Sequence, residues 1–266
     1  MDNPKDLNRY ERILEDIFFN HFQPGMETFD FERIEIETVA AKLAIKLPKN
    51  IGDLVYSFRF RAAPPPRILK TAPPEKNWLI RSAGRSRYRF VLDDKWSLEP
   101  NIHLGNIKVP DATPGVIEKY SLSDEQALLA KLRYNRLVDI FTGLTCYSLQ
   151  NHLRTTVKSL GQVETDEVYI GIDSRGVHYV LPVQAKGGSD QQSVVQIEND
   201  FALVAEHFPS LVCRPIAAQF MKNGIIALFE LQKEEGKVNL RTEAHYRLVP
   251  PEELTDEDLR RYRLGK

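Results

Sequence analysis

The sequence predicts an α/β chain in two units, a helix-rich N-terminal one ending in a basic hairpin and a C-terminal one built on a mixed sheet flanked by helices. Three observations carry this prediction. Apolar residues recur at helical spacing up to Phe58, two alternating apolar runs flank the tight segment RSAGRS, and beyond residue 120 the period switches repeatedly between helical and strand spacing.

The N-terminal elements follow in order. Leu7, Tyr10, Leu14, Ile17 and Phe18 share one face of an amphipathic helix over about 6–20. Val39 and Leu43 place a second helix at about 35–44, and Pro48 opens a third at about 49–58 with Ile51, Leu54, Val55 and Phe58 inward. The tight segment from Ile45 to Pro48 between them suggests helix-turn-helix. RAAPPPRILKTAPPEK then interrupts helix, and NWLI and RYRFVL read as two strands. Helices followed by a basic hairpin predict a winged-helix-like domain. Residues 93–120 carry three prolines and little periodicity, so the domain boundary is expected there, giving domains 1–115 and 116–266.

In the second unit, Ser123 and Gln126 have the spacing of a capping box, and a helix is expected through Leu129, Leu132 and Ile140. Leu149, Leu153, Val157 and Leu160 predict another helix, with Gln150, Arg154 and Lys158 on a different face. Strands follow at about 163–171 and 177–186, joined by a turn at 173–176. Val194, Ile197, Phe201, Ala205 and Phe208 mark a helix, and LVCRPIAAQF and IIALFEL two further strands across Lys222-Asn223-Gly224.

Composition narrows the function. The chain has 266 residues, 42% of them hydrophobic and 27% charged, with no apolar run near the roughly 20 residues of a membrane span. The N-terminus lacks the pattern of a signal peptide, so a cytoplasmic protein is expected. Cys146 and Cys213 offer neither a disulfide framework nor a closely spaced metal pair. Charge is uneven. Residues 59–89 hold nine basic residues against Glu75 alone, whereas the chain as a whole carries a net charge of -1. Such a segment predicts a polyanion site, with double-stranded DNA as the leading partner. Arg81, Arg85, Arg87 and Arg89 around the hairpin turn are the candidate DNA contacts. The plainer alternative is that they pair with acids elsewhere in the fold.

The chemistry concentrates in GQVETDEVYIGIDSRGVHYVLPVQAKGG. Strand alternation puts Glu164 and Asp166 on one face, Gln184 and Lys186 on one face of the next strand, and a hairpin would bring the four together. Oxygen donors beside an amine suit metal-assisted phosphodiester hydrolysis: an acid and an amide or carbonyl oxygen hold a hard Mg²⁺, and the lysine orients water or steadies phosphate charge.

Asp166, then Gln184-Ala185-Lys186, then a helix carrying Gln196 and Asp200 resemble the PD-(D/E)XK nuclease superfamily over roughly 125–232. In that family an acid on one strand is followed by an acid, any residue and a lysine on the next. YSLQNHLRTT is similar to wording in restriction-type and defence endonucleases. The resemblance implies a restriction-endonuclease-like fold, Asp166, Gln184 and the Ala185 carbonyl as metal ligands, and Lys186 as the catalytic lysine. Glu164 and Gln196 are further candidates. It implies Mg²⁺ as cofactor with Mn²⁺ as an alternative, and an endodeoxyribonuclease acting in restriction or phage defence. A second copy of the chain, a cognate methyltransferase or another defence protein are candidate partners; a membrane is not. Gln184 stands where the family carries an acid, and an amide is the weaker ligand for a hard cation. Two other function classes therefore remain, an inactive DNA-binding regulator and an interaction module on the same fold. His152 is read as an ordinary polar helix residue, Gly187-Gly188 as a turn or a phosphate approach, and Trp78, Tyr88 and Phe90 as packing residues.

Overall fold

The computed structural model describes residues 7–120, 125–188 and 190–264. The chain divides into two compact units, Met1–Ser97 with Thr156–Gln162, and Leu98–Thr155 with Val163–Lys266.

The first unit begins with α1 (Arg9–His21), capped by Asn8, whose side chain accepts from the Tyr10 and Glu11 amides while Glu11 accepts from the Asn8 amide. Its inner face, Ile13, Leu14, Ile17 and Phe18, is fully buried. Strand β1 (Thr28–Glu32) leads into α2 (Arg33–Lys42), and α3 (Gly52–Phe60) follows. Within the proline-rich stretch one turn of helix, α4 (Pro66–Leu69), starts on a proline, whose preset φ suits a first turn. The expected hairpin is β2 (Lys76–Ser82) and β3 (Arg87–Asp94). Unexpectedly, β1 joins it, giving an antiparallel three-stranded sheet in the order β1-β3-β2. Burial of Trp78, Ile80 and Phe90 on its inner side follows strand alternation.

The second unit is built on an eight-stranded mixed sheet. In chain order come β4 (Asn106–Pro110), α5 (Gly115–Tyr120), α6 (Glu125–Tyr134), α7 (Leu137–Thr142), β5 (Thr145–Val157), β6 (Gly161–Ile172), β7 (His178–Lys186) and α8 (Val194–His207). Then follow β8 (Val212–Cys213), β9 (Ile216–Phe220), β10 (Ile225–Glu234), β11 (Lys237–Val249) and α9 (Asp256–Arg263). The order across the sheet is β4-β11-β10-β9-β7-β6-β5, with two-residue β8 beside β7. β6 and β7 are antiparallel; β9 is parallel to β7, so α8 is the crossover that a parallel connection requires. Leu128, Leu129 and Leu132 of α6 and Leu137 and Val138 of α7 pack on Leu181, Val183 and Ala185. β4 pairs with β11, which places residues 106–110 in the second unit.

Two expectations are corrected here. The segment 149–160 is not a helix: residues 145–157 form β5. Leu153 and Val157 lie four apart, but four residues are also two dipeptide repeats, so the same spacing lines one side of a strand, while the left-handed His152 breaks the alternation between them and Leu149. Leu149 is exposed rather than inward. The helix expected through Ile140 breaks at Arg136, which takes a left-handed φ of 50°, and Ile140 is half exposed. The Ser123 cap lies outside the described residues. Among those residues no helix is long and apolar enough to cross a membrane.

Phe18 is the centre of the first unit's core, with the rings of Phe19, Phe22, Phe29, Trp78 and Phe90 at 5.0–5.3 Å. Phe18→Ala should cost about 3–5 kcal/mol. Both tryptophans, Trp78 and Trp96, lie in this unit, so a urea titration followed by tryptophan fluorescence reads the loss; an unchanged midpoint would contradict the packing.

Candidate active site

The site forms where the ladder between β6 and β7 stops. Glu167 opposite Val183 is the last regular pair, and beyond it the Asp166 side chain takes over: its Oδ2 accepts from the Ala185 amide at 2.8 Å. Lys186, nearly buried at the end of β7, directs Nζ to Glu125 Oε1 at 3.4 Å on the first turn of α6. Burial pushes the Asp166 carboxyl up, the Ala185 N–H and Lys186 draw it down, and Glu125 adds to the rise. Asp166, Ala185, Lys186 and Glu125 thus form one polar cluster beside α6.

Gln184 belongs to a second cluster. It is fully buried, and its Nε2 donates to both carboxylate oxygens of Asp200 on α8, at 3.0 and 3.2 Å, and to the Glu164 carbonyl at 3.4 Å. Gln196 Nε2 donates to Gln184 Oε1 at 3.3 Å, and Thr165 Oγ1 donates to Asp200 Oδ1 at 2.5 Å. Burial pushes Asp200 up to about 7 against the hydrogen bonds from Thr165 and Gln184, with Asp166 adding to the rise.

The expected foursome is therefore shared out. Asp166 bonds the amide next to Lys186, whose amine pairs with Glu125 instead; Gln184 and Gln196 bond one another directly; the Glu164 carboxylate pairs with Arg154 Nη2 of β5 at 3.1 Å. Alternation alone would have put Lys186 with Gln184, but Lys186 is the last residue of its strand and reaches Glu125. Sequence reasoning missed Glu125, Thr165 and the role of Asp200. An acid in the first turn of a helix reads as a partner of the helix dipole, so nothing in the sequence singled out Glu125. Among the described residues no three or more His, Cys, Asp or Glu side chains are grouped to hold a metal ion.

The loop after Lys186 is held from β9: Gln219 Nε2 donates to the Asp190 carbonyl at 3.0 Å, and Gly188 takes a φ of 57° that favours glycine.

In the first unit, the hairpin arginines meet acids on neighbouring strands. Arg81 pairs with Asp93 at 2.7 Å, and Arg89 makes a two-pronged contact with Asp30 at 2.5 and 3.0 Å, which holds the Asp30 carboxyl below its usual range. Arg87 lies 3.8 Å from Asp30 and 4.0 Å from Glu32. Arg85 is exposed at the turn and has no ion pair among the described residues. The unit still holds 18 basic residues against 14 acidic, compared with 18 against 23 in the second unit.

No family model, curated protein or solved structure matches this chain.

Asp200 yields a prediction about pH. Its folded pKa lies above the unfolded value, so between about pH 4 and 7 the folded chain binds a proton that the unfolded chain does not, and stability falls as pH rises through that window. Asp200→Asn removes this dependence. Urea titrations at pH 5 and pH 8 should show the variant gaining a few kcal/mol over the parent at the higher pH relative to the lower; an equal difference at both values would contradict the burial of an ionisable Asp200.

Proposed function

We propose that the chain is a Mg²⁺-dependent endodeoxyribonuclease of the PD-(D/E)XK type, in which a winged-helix-like N-terminal unit reads duplex DNA and the C-terminal unit hydrolyses it. The observation that carries the reading is that Asp166 accepts from the amide of Ala185, the residue before Lys186, while Lys186 pairs with Glu125, on a β5-β6-β7 meander followed by crossover helix α8 and parallel β9. The strand-strand-helix frame and the acid-then-lysine spacing are those the resemblance implies. For the first unit, support comes from its order of helix, strand, three helices and hairpin, and from its excess of basic residues.

The donor set suits a hard cation. Asp166 supplies a carboxylate and Glu125 a second one across Lys186. In a strand the N–H and C=O of one residue point to the same side, so the Ala185 carbonyl faces the side from which its amide meets Asp166. These oxygens would hold Mg²⁺; Gln184, engaged with Asp200 and Gln196, acts from behind as a support for β7. When bound, the ion supplies Lewis acidity that polarises the phosphate and lowers the pKa of water. Lys186 orients the attacking water and stabilises charge on the phosphate, and Glu125 holds the Lys186 side chain in place until substrate arrives. The paired hairpin arginines do not oppose DNA binding, since exposed ion pairs contribute little and exchange for phosphate at small cost. The biological setting proposed is restriction or phage defence. One observation favours a second reading, a DNA-binding protein without chemistry: the residue in the second acid's place is an amide. Incubation with methylated and unmethylated plasmid in Mg²⁺, Mn²⁺ or chelator tests both.

Two predictions follow from this reading. Asp166→Ala and Lys186→Ala should each remove cleavage in Mg²⁺ while leaving DNA affinity in Ca²⁺ within about twofold, because the first unit supplies the long-range attraction. Cleavage at the parent rate, or equal loss of binding and cutting, would remove these residues from the site. In the hairpin, Arg85→Ala should weaken binding to all sequences and flatten the salt dependence by about 1 if Arg85 meets phosphate, or cost about 1–3 kcal/mol on cognate DNA alone if it meets a base. Parent-like affinity on both cognate and random duplexes would exclude the hairpin tip from the interface.

A further inference from the structure

His152 sits midway along β5 with a φ of 47°, in the left-handed region. Histidine tolerates this conformation better than most side chains, but glycine or asparagine adopts it more readily. A left-handed residue inside a strand interrupts alternation and re-aims the side chain, as bulges beside functional sites do. Here the imidazole is turned to α6, with Nε2 2.8 Å from Gln126 Nε2. With the Gln126 amide nitrogen facing the ring, His152 Nε2 is assigned as the acceptor and the ring proton to Nδ1. Among the described residues no hydrogen bond uses that Nδ1–H, and the side chain is exposed. Its anchor, Gln126, directly follows Glu125, the partner of Lys186. The ring also lies near enough to Asp166 that, were it protonated, its charge would draw that carboxyl down.

We propose that His152 is a substrate-contacting residue of this site, whose Nδ1–H donates to a non-bridging oxygen of the DNA phosphodiester on which Asp166 and Lys186 act. The inference rests on the nuclease reading and extends it to a residue outside the acid-then-lysine motif. Two carboxylates face a single amine at the end of β7, and a phosphodiester entering there meets repulsion from both. A neutral N–H donor on β5, beyond β6 in the sheet, offers the phosphate a second hydrogen bond without competing for the cation. Gln126 fixes the tautomer that makes this possible, and the left-handed backbone fixes the direction.

The test uses the full chain and three variants. His152→Gly keeps the backbone conformation and removes the ring; it should melt within about 2 °C of the parent or higher, yet cut duplex DNA in Mg²⁺ at least tenfold more slowly. His152→Asn keeps a side-chain N–H and tolerates the left-handed region, and should recover at least part of that loss. A merely structural histidine predicts the reverse, with His152→Gly cutting at the parent rate wherever it is folded, and that outcome overturns the proposal. If His152→Gly fails to fold, the rate of His152→Asn against that of His152→Ala decides in the same way. The second measurement is the ¹⁵N imidazole spectrum with an uncleaved duplex oligonucleotide in Ca²⁺, where His152 should show an Nδ1-protonated ring whose Nδ1 resonance shifts on adding DNA. An unshifted resonance overturns the contact. Should the parent chain cut nothing in Mg²⁺ or Mn²⁺, the nuclease reading fails by itself, and the imidazole spectrum still accepts or rejects the phosphate contact.

Discussion

The amide of Ala185 donates to the carboxylate of Asp166 instead of to a carbonyl of β6. That one exchange ends a regular antiparallel ladder and opens the sheet at the point where β7 still has Lys186 to present. A backbone donor left unpaired in a buried sheet would cost free energy comparable to a lost hydrogen bond, so Asp166 is held in place by the same bond that terminates the pairing. α6 and α8 then meet different side chains of a single strand. Ala185 and Lys186 meet α6, through its leucines and Glu125; Gln184 meets α8, through Asp200 and Gln196.

This division explains an amide in a position where an acid would repel its surroundings. Gln184 Nε2 is 3.0 Å from a fully buried Asp200 carboxylate. A second carboxylate at that distance could not ionise alongside the first without a large electrostatic penalty. The amide instead satisfies Asp200 with donors and accepts from Gln196. On this account the metal-binding charge comes from Asp166 and Glu125, on β6 and α6, and the buried network keeps β7 in register behind them.

How much of this was legible depends on how local each signal was. The three longer helices of the first unit, the β2–β3 hairpin and the positions of β6, β7 and α8 follow from apolar period and turn residues, and they are found where those signals place them; the one-turn α4 lies in the stretch read as helix-breaking. β5 was misread because a four-residue repeat satisfies both helix and strand. β1 is five residues long and pairs with β3, far away in sequence. The buried polar side of α8 was not read at all: Gln196 and Asp200 are buried alongside Val195, Ile197, Leu203 and Val204 because their partners, Gln184 and Thr165, stand on the sheet. A polar core is invisible to a rule that sorts residues by hydrophobicity. Among the residues proposed for the site, Asp166 and Lys186 were singled out by their spacing on adjacent strands, whereas Glu125 and His152 enter the proposal through tertiary placement of α6 and through one backbone angle.

The central claim is that oxygens of Asp166 and Ala185, with Glu125 beside them, bind a divalent cation at the end of the β6–β7 ladder. Anomalous diffraction from crystals grown with Mn²⁺ tests it most directly. The account predicts one strong peak at about 2.0–2.3 Å from an Asp166 carboxylate oxygen and in bonding range of the Ala185 carbonyl, lost in Asp166→Ala crystals. Mn²⁺ found only away from Asp166, or bound equally in the variant, would contradict it.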